Sequence, residues 1–177
     1  MRIDHFAFRV RDRAATVKFL CEALGYRVQQ EFPIYFDEDK TEFAMCTALE
    51  PPEKTTTPAP WATLVPGLGD QEYHIPPEIF VSEGAPGSVV HEWVEKHGPG
   101  IHHIALQVDS VEETMREWRK KGWAEFTSAE PMQCEGLTQV FTKPSALTGV
   151  IFEFIERDTF GFCKENVKSL MESTRGN

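Results

Sequence analysis

Cys21, Cys46, Cys134 and Cys163 are the only cysteines in 177 residues, and no two of them form a CxxC pair. Spacing therefore offers neither a zinc ribbon nor a disulfide framework, and the four read as small buried residues. A reducing, cytoplasmic setting is the simplest expectation, and the opening Met-Arg-Ile-Asp-His supplies no apolar signal core. No apolar run approaches the roughly 18 residues that span a bilayer. Basic residues are also short: 18 Lys and Arg stand against 28 Asp and Glu, a net charge of −10. That balance argues against nucleic acid or an anionic membrane surface as a partner. The 41% hydrophobic content excludes general disorder. The length suits one domain, residues 1–177, burying roughly 70% of its unfolded surface.

The chain does contain one pattern used twice. "IDHFAFRV" at 3–10 and "IHHIALQV" at 101–108 superpose at an offset of 98, bringing His5 onto His103, Ala7 onto Ala105 and Val10 onto Val108. The same offset sets Asp12 on Ser110, each a good helix N-cap. Gly25 and Gly122 then end the two helices one position out of step. Helices are expected at 13–24 and 111–121, the second opened by a capping box, Ser110-x-x-Glu113. Strands are expected at 26–36, 42–49 and 78–82 in the first copy. In the second they are expected at 123–128, 137–143 and 149–156. The result is an α+β fold of two βαβββ modules, residues 1–87 and 98–157. A short helix at 88–97 joins them, and a tail at 158–177 carries an amphipathic helix. A proline-rich insertion at 51–77 interrupts the first module. Residues 51–87 hold eight of the twelve prolines, so this stretch is a surface excursion, with a lid or a plain solvated loop equally open.

Alternation sorts the histidines. In the first strand Ile3, His5, Ala7 and Arg9 share one face; in the second Ile101, His103, Ala105 and Gln107 do. A small alanine beside each histidine leaves room for a ligand. His102 points to the opposite face and reads as a packed residue. His74, His91 and His97 fall on loop or helix surface. In "GVIFEFIE", Glu153 lies between Ile151 and Ile155 on one strand face, where a buried carboxylate needs a cation. The cation is a metal or an arginine such as Arg9 or Arg157. Two repeat-matched imidazoles favour the metal: His5, His103 and Glu153 would form a facial triad of the type that holds iron(II) with positions left open. Cobalt, nickel and zinc suit the same donors.

Four segments extend this reading: "IDHFAFRV"; "GPGIHHIALQV"; "LTQVFTKP" with "GVIFEFIER"; and "GFCKENVKSLMES". They resemble the vicinal oxygen chelate superfamily, and within it the catalytic C-terminal half of the 4-hydroxyphenylpyruvate dioxygenase family. The resemblance implies two modules forming a half-open mixed β-barrel around a metal site. It implies His5, His103 and Glu153 as iron ligands and as the catalytic residues. Gln139, Phe141 and Ser82 would line the substrate pocket. Phe162 and the helix after it would act as the gate. It further implies an iron(II)-dependent dioxygenase with a small aromatic 2-oxo acid and dioxygen as reactants, and allows a homodimer. The chain departs from the family where His102 replaces a glutamine and Ser82 an asparagine, and it corresponds to one of two such domains. The rival in the same superfamily is a metal-dependent isomerase or epimerase of the glyoxalase or methylmalonyl-CoA epimerase type. Those relatives use a fourth protein ligand on the last strand of the first module, where Phe80 stands, with Glu78 and Glu83 nearby. A small-molecule-binding member without turnover is the third class.

Overall fold

The structure, a computed structural model, describes residues 1–52, 77–158 and 161–175. His74 and most of the proline-rich insertion lie outside the described residues. The strands are β1 (Arg2–Arg9), β2 (Arg27–Tyr35), β3 (Phe43–Glu50), β4 (Glu78–Gly84), β5 (Gly100–Gln107), β6 (Met132–Cys134), β7 (Leu137–Phe141) and β8 (Ile151–Arg157). The helices are α1 (Arg13–Leu24), α2 (Val89–His97), α3 (Val111–Lys121) and α4 (Lys164–Ser173). All eight strands join one mixed sheet in the order β2-β3-β4-β1-β5-β8-β7-β6, curled into a half-barrel. The order is palindromic about the β1–β5 contact. β1 runs parallel to β4 and β5 parallel to β8, while β1 and β5 meet antiparallel. The repeat read in the sequence is therefore a repeat in space, and its two first strands are neighbours.

Local signals form α1 and α3 as expected. Asp12 accepts a hydrogen bond from the Ala15 amide at 2.8 Å, and Gly25 closes α1 at φ 75°. Ser110 accepts from the Glu113 amide at 3.2 Å. Glu113 itself turns to Arg116, so only half of the capping box is made. On the convex side α1 covers Val10, Leu49, Ile79 and Val81, and α3 packs Val111 and Met115 against Val140 and Phe154. The concave side carries Ala7, Phe32, Ala48 and Phe80, closed by Val167 and Met171 of α4. No helix among the described residues is long and apolar enough to cross a membrane.

Two expectations are corrected. The strand expected at 123–128 is reduced to one isolated bridge between Phe126 and Thr142, and the short β6 pairs with β7 instead. The second correction is covalent. Cys134 and Cys163, 29 residues apart, form a disulfide, while Cys21 and Cys46 are free. Their spacing carries no motif; only the docking of α4 beside β6 brings the two sulfurs together. The reducing-compartment expectation thereby loses the observation it rested on. Closing a loop of this length stabilises a fold by about 3 kcal/mol in the chain-entropy account. Thermal melting with and without dithiothreitol checks this: the reduced protein is expected to melt several degrees lower, and a Cys134→Ser, Cys163→Ser variant to match it and not respond to reductant.

Candidate metal centre

The deepest layer of the concave face is polar. His5 is 2% exposed and Glu153 is 1% exposed, with His103 buried beside them. Three strands deliver them: His5 from β1, His103 from β5 and Glu153 from β8, whose register places Glu153 opposite Ala105. The Nε2 atoms of His5 and His103 are 3.4 Å apart. Glu153 Oε2 lies 3.3 Å from the first and 3.0 Å from the second. Donors about 2.1 Å from a shared ion stand about 3.0 Å apart at right angles and about 3.4 Å apart at the tetrahedral angle. The triangle thus has the dimensions of one face of a divalent-ion coordination sphere. Among the described residues this is the one fully buried group of three such donors.

Each donor is held from behind. The His5 Nδ1–H donates to Asp4 Oδ1 at 2.8 Å, and Arg157 Nη2 donates to the same oxygen at 2.7 Å. Arg157 therefore serves Asp4, and no arginine or lysine among the described residues pairs with Glu153. Gln139 Nε2 donates to Glu153 Oε1 at 2.5 Å, and Asn166 Nδ2 of α4 donates to Gln139 Oε1 at 3.0 Å. His103 Nδ1 lies 2.8 Å from His102 Nδ1. With its Nε2 turned to the centre, His103 carries its proton on Nδ1 and donates to His102. Partners of this kind fix the tautomer and aim of a ligating imidazole.

Without an ion the charges sort themselves. Burial by itself would lower His5, but the Glu153 and Asp4 carboxylates outweigh it and raise the imidazole to about 9. Burial opposes ionisation of Glu153, yet the His5 and His103 imidazoles hold its carboxyl well below the usual carboxylate range. His103 is lowered, chiefly by burial, with the Glu153 hydrogen bond only partly compensating. The proton resides on His5 because only that imidazole touches a second carboxylate. The result is a buried imidazolium–carboxylate pair beside a neutral imidazole.

The other residues singled out in the sequence surround the same cavity, which is open to one side. The Phe141 ring stands 4.6 Å from that of His103, and Phe162 meets His5 edge-on at 5.2 Å and Phe80 at 4.9 Å. Ser82 lines the cavity, its hydroxyl donating to the Phe8 carbonyl at 3.2 Å. Gln139 also lines it, but its amide is engaged on both sides, by Glu153 and Asn166. Of the residues weighed as a fourth ligand, Phe80 faces the cavity. Glu83 accepts from the Arg13 amide at 2.8 Å, and Glu78 faces Arg157 at 3.8 Å.

Two cavity residues escaped the reading of the sequence as site residues. His102 is brought round by a slip in the β1–β5 register: Ala7 pairs with His103 but Phe8 with Ile101, so His102 occupies a bulge. A bulge cancels strict alternation and lets consecutive side chains share a face, which overturns the expectation that His102 points away. Arg9, two positions beyond Ala7, lies on the His5 face as the alternation required. The missed signal was a charged residue in an otherwise inward-facing row.

A family model described as the glyoxalase/bleomycin resistance protein/dioxygenase superfamily matches residues 4–141. The chain belongs to that superfamily. Solved structures carry the same fold. A triply substituted 4-hydroxymandelate synthase from Streptomyces coelicolor superposes with a TM-score of 0.71 at 19% identity, over 98% of this chain and 53% of that one. The present chain thus spans about half of the synthase. A hypothetical protein from Bacillus halodurans aligns with a TM-score of 0.62 at 22% identity, over 92% of this chain and 98% of that one. Methylmalonyl-CoA epimerase from Mycobacterium tuberculosis gives a TM-score of 0.58 at 19% identity, over 89% of each chain. No curated protein matches the sequence. At these identities the superfamily's fold is shared, with oxidative and isomerising enzymes both among the neighbours.

Proposed function

We propose that this superfamily member is an iron(II)-dependent dioxygenase acting on a small 2-oxo acid, with His5, His103 and Glu153 as the metal ligands. The observation that carries the reading is the buried triangle of donor atoms with sides of 3.0, 3.3 and 3.4 Å, together with Phe80 where a fourth donor is needed for the isomerase chemistry. A phenylalanine cannot coordinate, and a three-donor site leaves positions for a chelating substrate and a second reactant. The fold shared with 4-hydroxymandelate synthase, and the sequence resemblance to 4-hydroxyphenylpyruvate dioxygenase, favour an aromatic 2-oxo acid.

Bound iron(II) would supply the redox chemistry that couples dioxygen to decarboxylation of the 2-oxo acid. The chain's own groups do the rest. Asp4 and His102 aim the two imidazoles, and Gln139 holds the Glu153 carboxylate in one rotamer. Phe141, Phe162 and Phe80 line the cavity as an apolar wall that flanks a planar substrate and keeps water out. Asn166 of α4 donates in turn to Gln139, which ties α4 to the Glu153 carboxylate.

The test begins with metal analysis of anaerobically purified protein, then an oxygen electrode with iron(II), ascorbate and a panel of 2-oxo acids. About one iron per chain and oxygen uptake with an aromatic 2-oxo acid are expected. Absence of uptake with every member of the panel overturns the dioxygenase reading. Proton exchange at the α-carbon of methylmalonyl-CoA establishes the epimerase in its place, the alternative that the Mycobacterium tuberculosis fold likeness favours.

A further inference from the structure

Arg9 is the anomaly of the cavity. Its side chain is 2% exposed, and no carboxylate among the described residues pairs with it. Nη2 donates to Thr174 Oγ1 at 3.0 Å, while the buried Nη1 has no partner among the described residues. The neighbouring Cys46 offers no counter-charge, because burial pushes its thiol up to about 12. Burial lowers Arg9 itself only to about 9, so it stays cationic at neutral pH. A buried, unpaired guanidinium is costly and is not expected unless something absent from the free chain completes it.

A second orphan stands with it. His102 is 5% exposed, and its Nε2 is buried without a partner among the described residues. Because His102 Nδ1 accepts from His103, its own proton resides on Nε2, which makes that atom a donor. Both side chains rest on the Trp93 ring, the Arg9 guanidinium 5.6 Å and the His102 imidazole 5.3 Å from it. Both line the cavity that holds the triad. Two buried donors, one of them charged, therefore converge where no acceptor is supplied. Arg9 is four residues along β1 from His5, about 13 Å between Cα atoms at strand rise, so the two ends of the cavity are distinct.

We propose that Arg9 and His102 form a recognition site for a carboxylate at the end of the substrate remote from the triad, so that the substrate is a 2-oxo acid with a second acidic group. The remote carboxylate needs only Arg9 and His102; the placing of the 2-oxo acid end rests on the dioxygenase reading above. Charge supports the pairing. A divalent ion with Glu153 and Arg9 gives the cavity a net charge of +2, which a dianionic substrate cancels and a monoanionic one does not.

The first experiment uses metal-free full-length protein and two isosteric probes, benzoate and benzamide, read by calorimetry. Benzoate is expected to bind and benzamide to bind far more weakly. Arg9→Gln, which keeps a donor for Thr174, is expected to weaken benzoate by about 10- to 100-fold, the loss expected for a hydrogen bond to a charged group. A further readout separates recognition from scaffolding. Arg9→Met removes the unpaired charge, so the free protein is expected to melt higher than the wild type while losing benzoate altogether. Equal binding of the two probes, benzoate binding undiminished in Arg9→Gln, or a lower melting temperature in Arg9→Met each overturns the proposal. The second arm uses cobalt(II)-loaded protein with phenylpyruvate and its 4-carboxy analogue. A preference of at least about tenfold for the diacid, abolished in Arg9→Gln, is expected; no preference overturns the placing of the second carboxylate. Failure of cobalt to bind counts against the metal reading alone, since the benzoate arm needs no metal.

Discussion

Glu153→Gln is expected to abolish metal uptake while leaving the fold in place. The substitution keeps the shape and keeps an acceptor for the Gln139 amide at 2.5 Å, but removes the only carboxylate in contact with both imidazoles. Two neutral imidazoles alone are a poor site for a hard divalent ion, so affinity should fall by at least about 100-fold, and oxygen uptake with it. Gln139→Ala, which frees the carboxylate to turn, is expected to cost about 10- to 100-fold, the range found when a partner behind a metal ligand is lost. Anaerobic titration with iron(II) or cobalt(II), followed by calorimetry, reads both values, and circular dichroism checks the fold. Undiminished uptake by the Glu153→Gln protein would sink the three-ligand centre.

The second large effect is a stability profile that metal reverses. Unfolded, the imidazoles of His5, His102 and His103 titrate near 6.5. In the metal-free fold His5 holds its proton up to about 9, whereas burial lowers His103 and lowers His102 further. Just below pH 6.5 the unfolded chain therefore binds more protons here than the folded chain, so stability rises with pH. Between 6.5 and 9 only the folded chain holds one, so stability falls, by about 3 kcal/mol across the interval at one proton. Glu153 loses its contribution only at much lower pH, and Arg9 releases its proton only at the upper edge. The metal-free protein should therefore be most stable near pH 6.5. A bound ion takes His5 as a neutral ligand and displaces that proton, so the alkaline decline should vanish and metal affinity should rise about tenfold per pH unit up to about 9. Urea unfolding at pH 6.5, 7.5 and 9, with and without metal, measures this directly. Parallel declines in both forms would show that the ion does not displace the His5 proton.

The repeat was legible because both copies keep the same period and the same punctuation. Asp12 and Ser110 cap, Gly25 and Gly122 stop, and the strand alternation of "IDHFAFRV" sets His5, Ala7 and Arg9 on the buried face. The partial failures have local causes. Residues 123–128 have the composition of a strand, but their pairing is confined to the Phe126–Thr142 bridge, closed by the Thr127 amide to the Phe141 carbonyl and the Lys143 amide to the Glu125 carbonyl. His102 departs from strict alternation because of a bulge, which arises only when β5 meets β1. Gln139 does line the cavity, while the engagement of its amide by Glu153 and Asn166 depends on where α4 settles.

By itself the sequence determined the two-module architecture, the helix boundaries and the three side chains with donor atoms suited to one ion. These follow from periodicity and residue chemistry, which act over a few residues. Tertiary structure alone decided that the triad's donors stand 3.0–3.4 Å apart, that Cys134 bonds Cys163, and that Arg9 and His102 are buried together without an acceptor. Each of those depends on contacts between segments distant in the chain, and no local preference encodes the angle at which two strands or a helix and a strand finally pack.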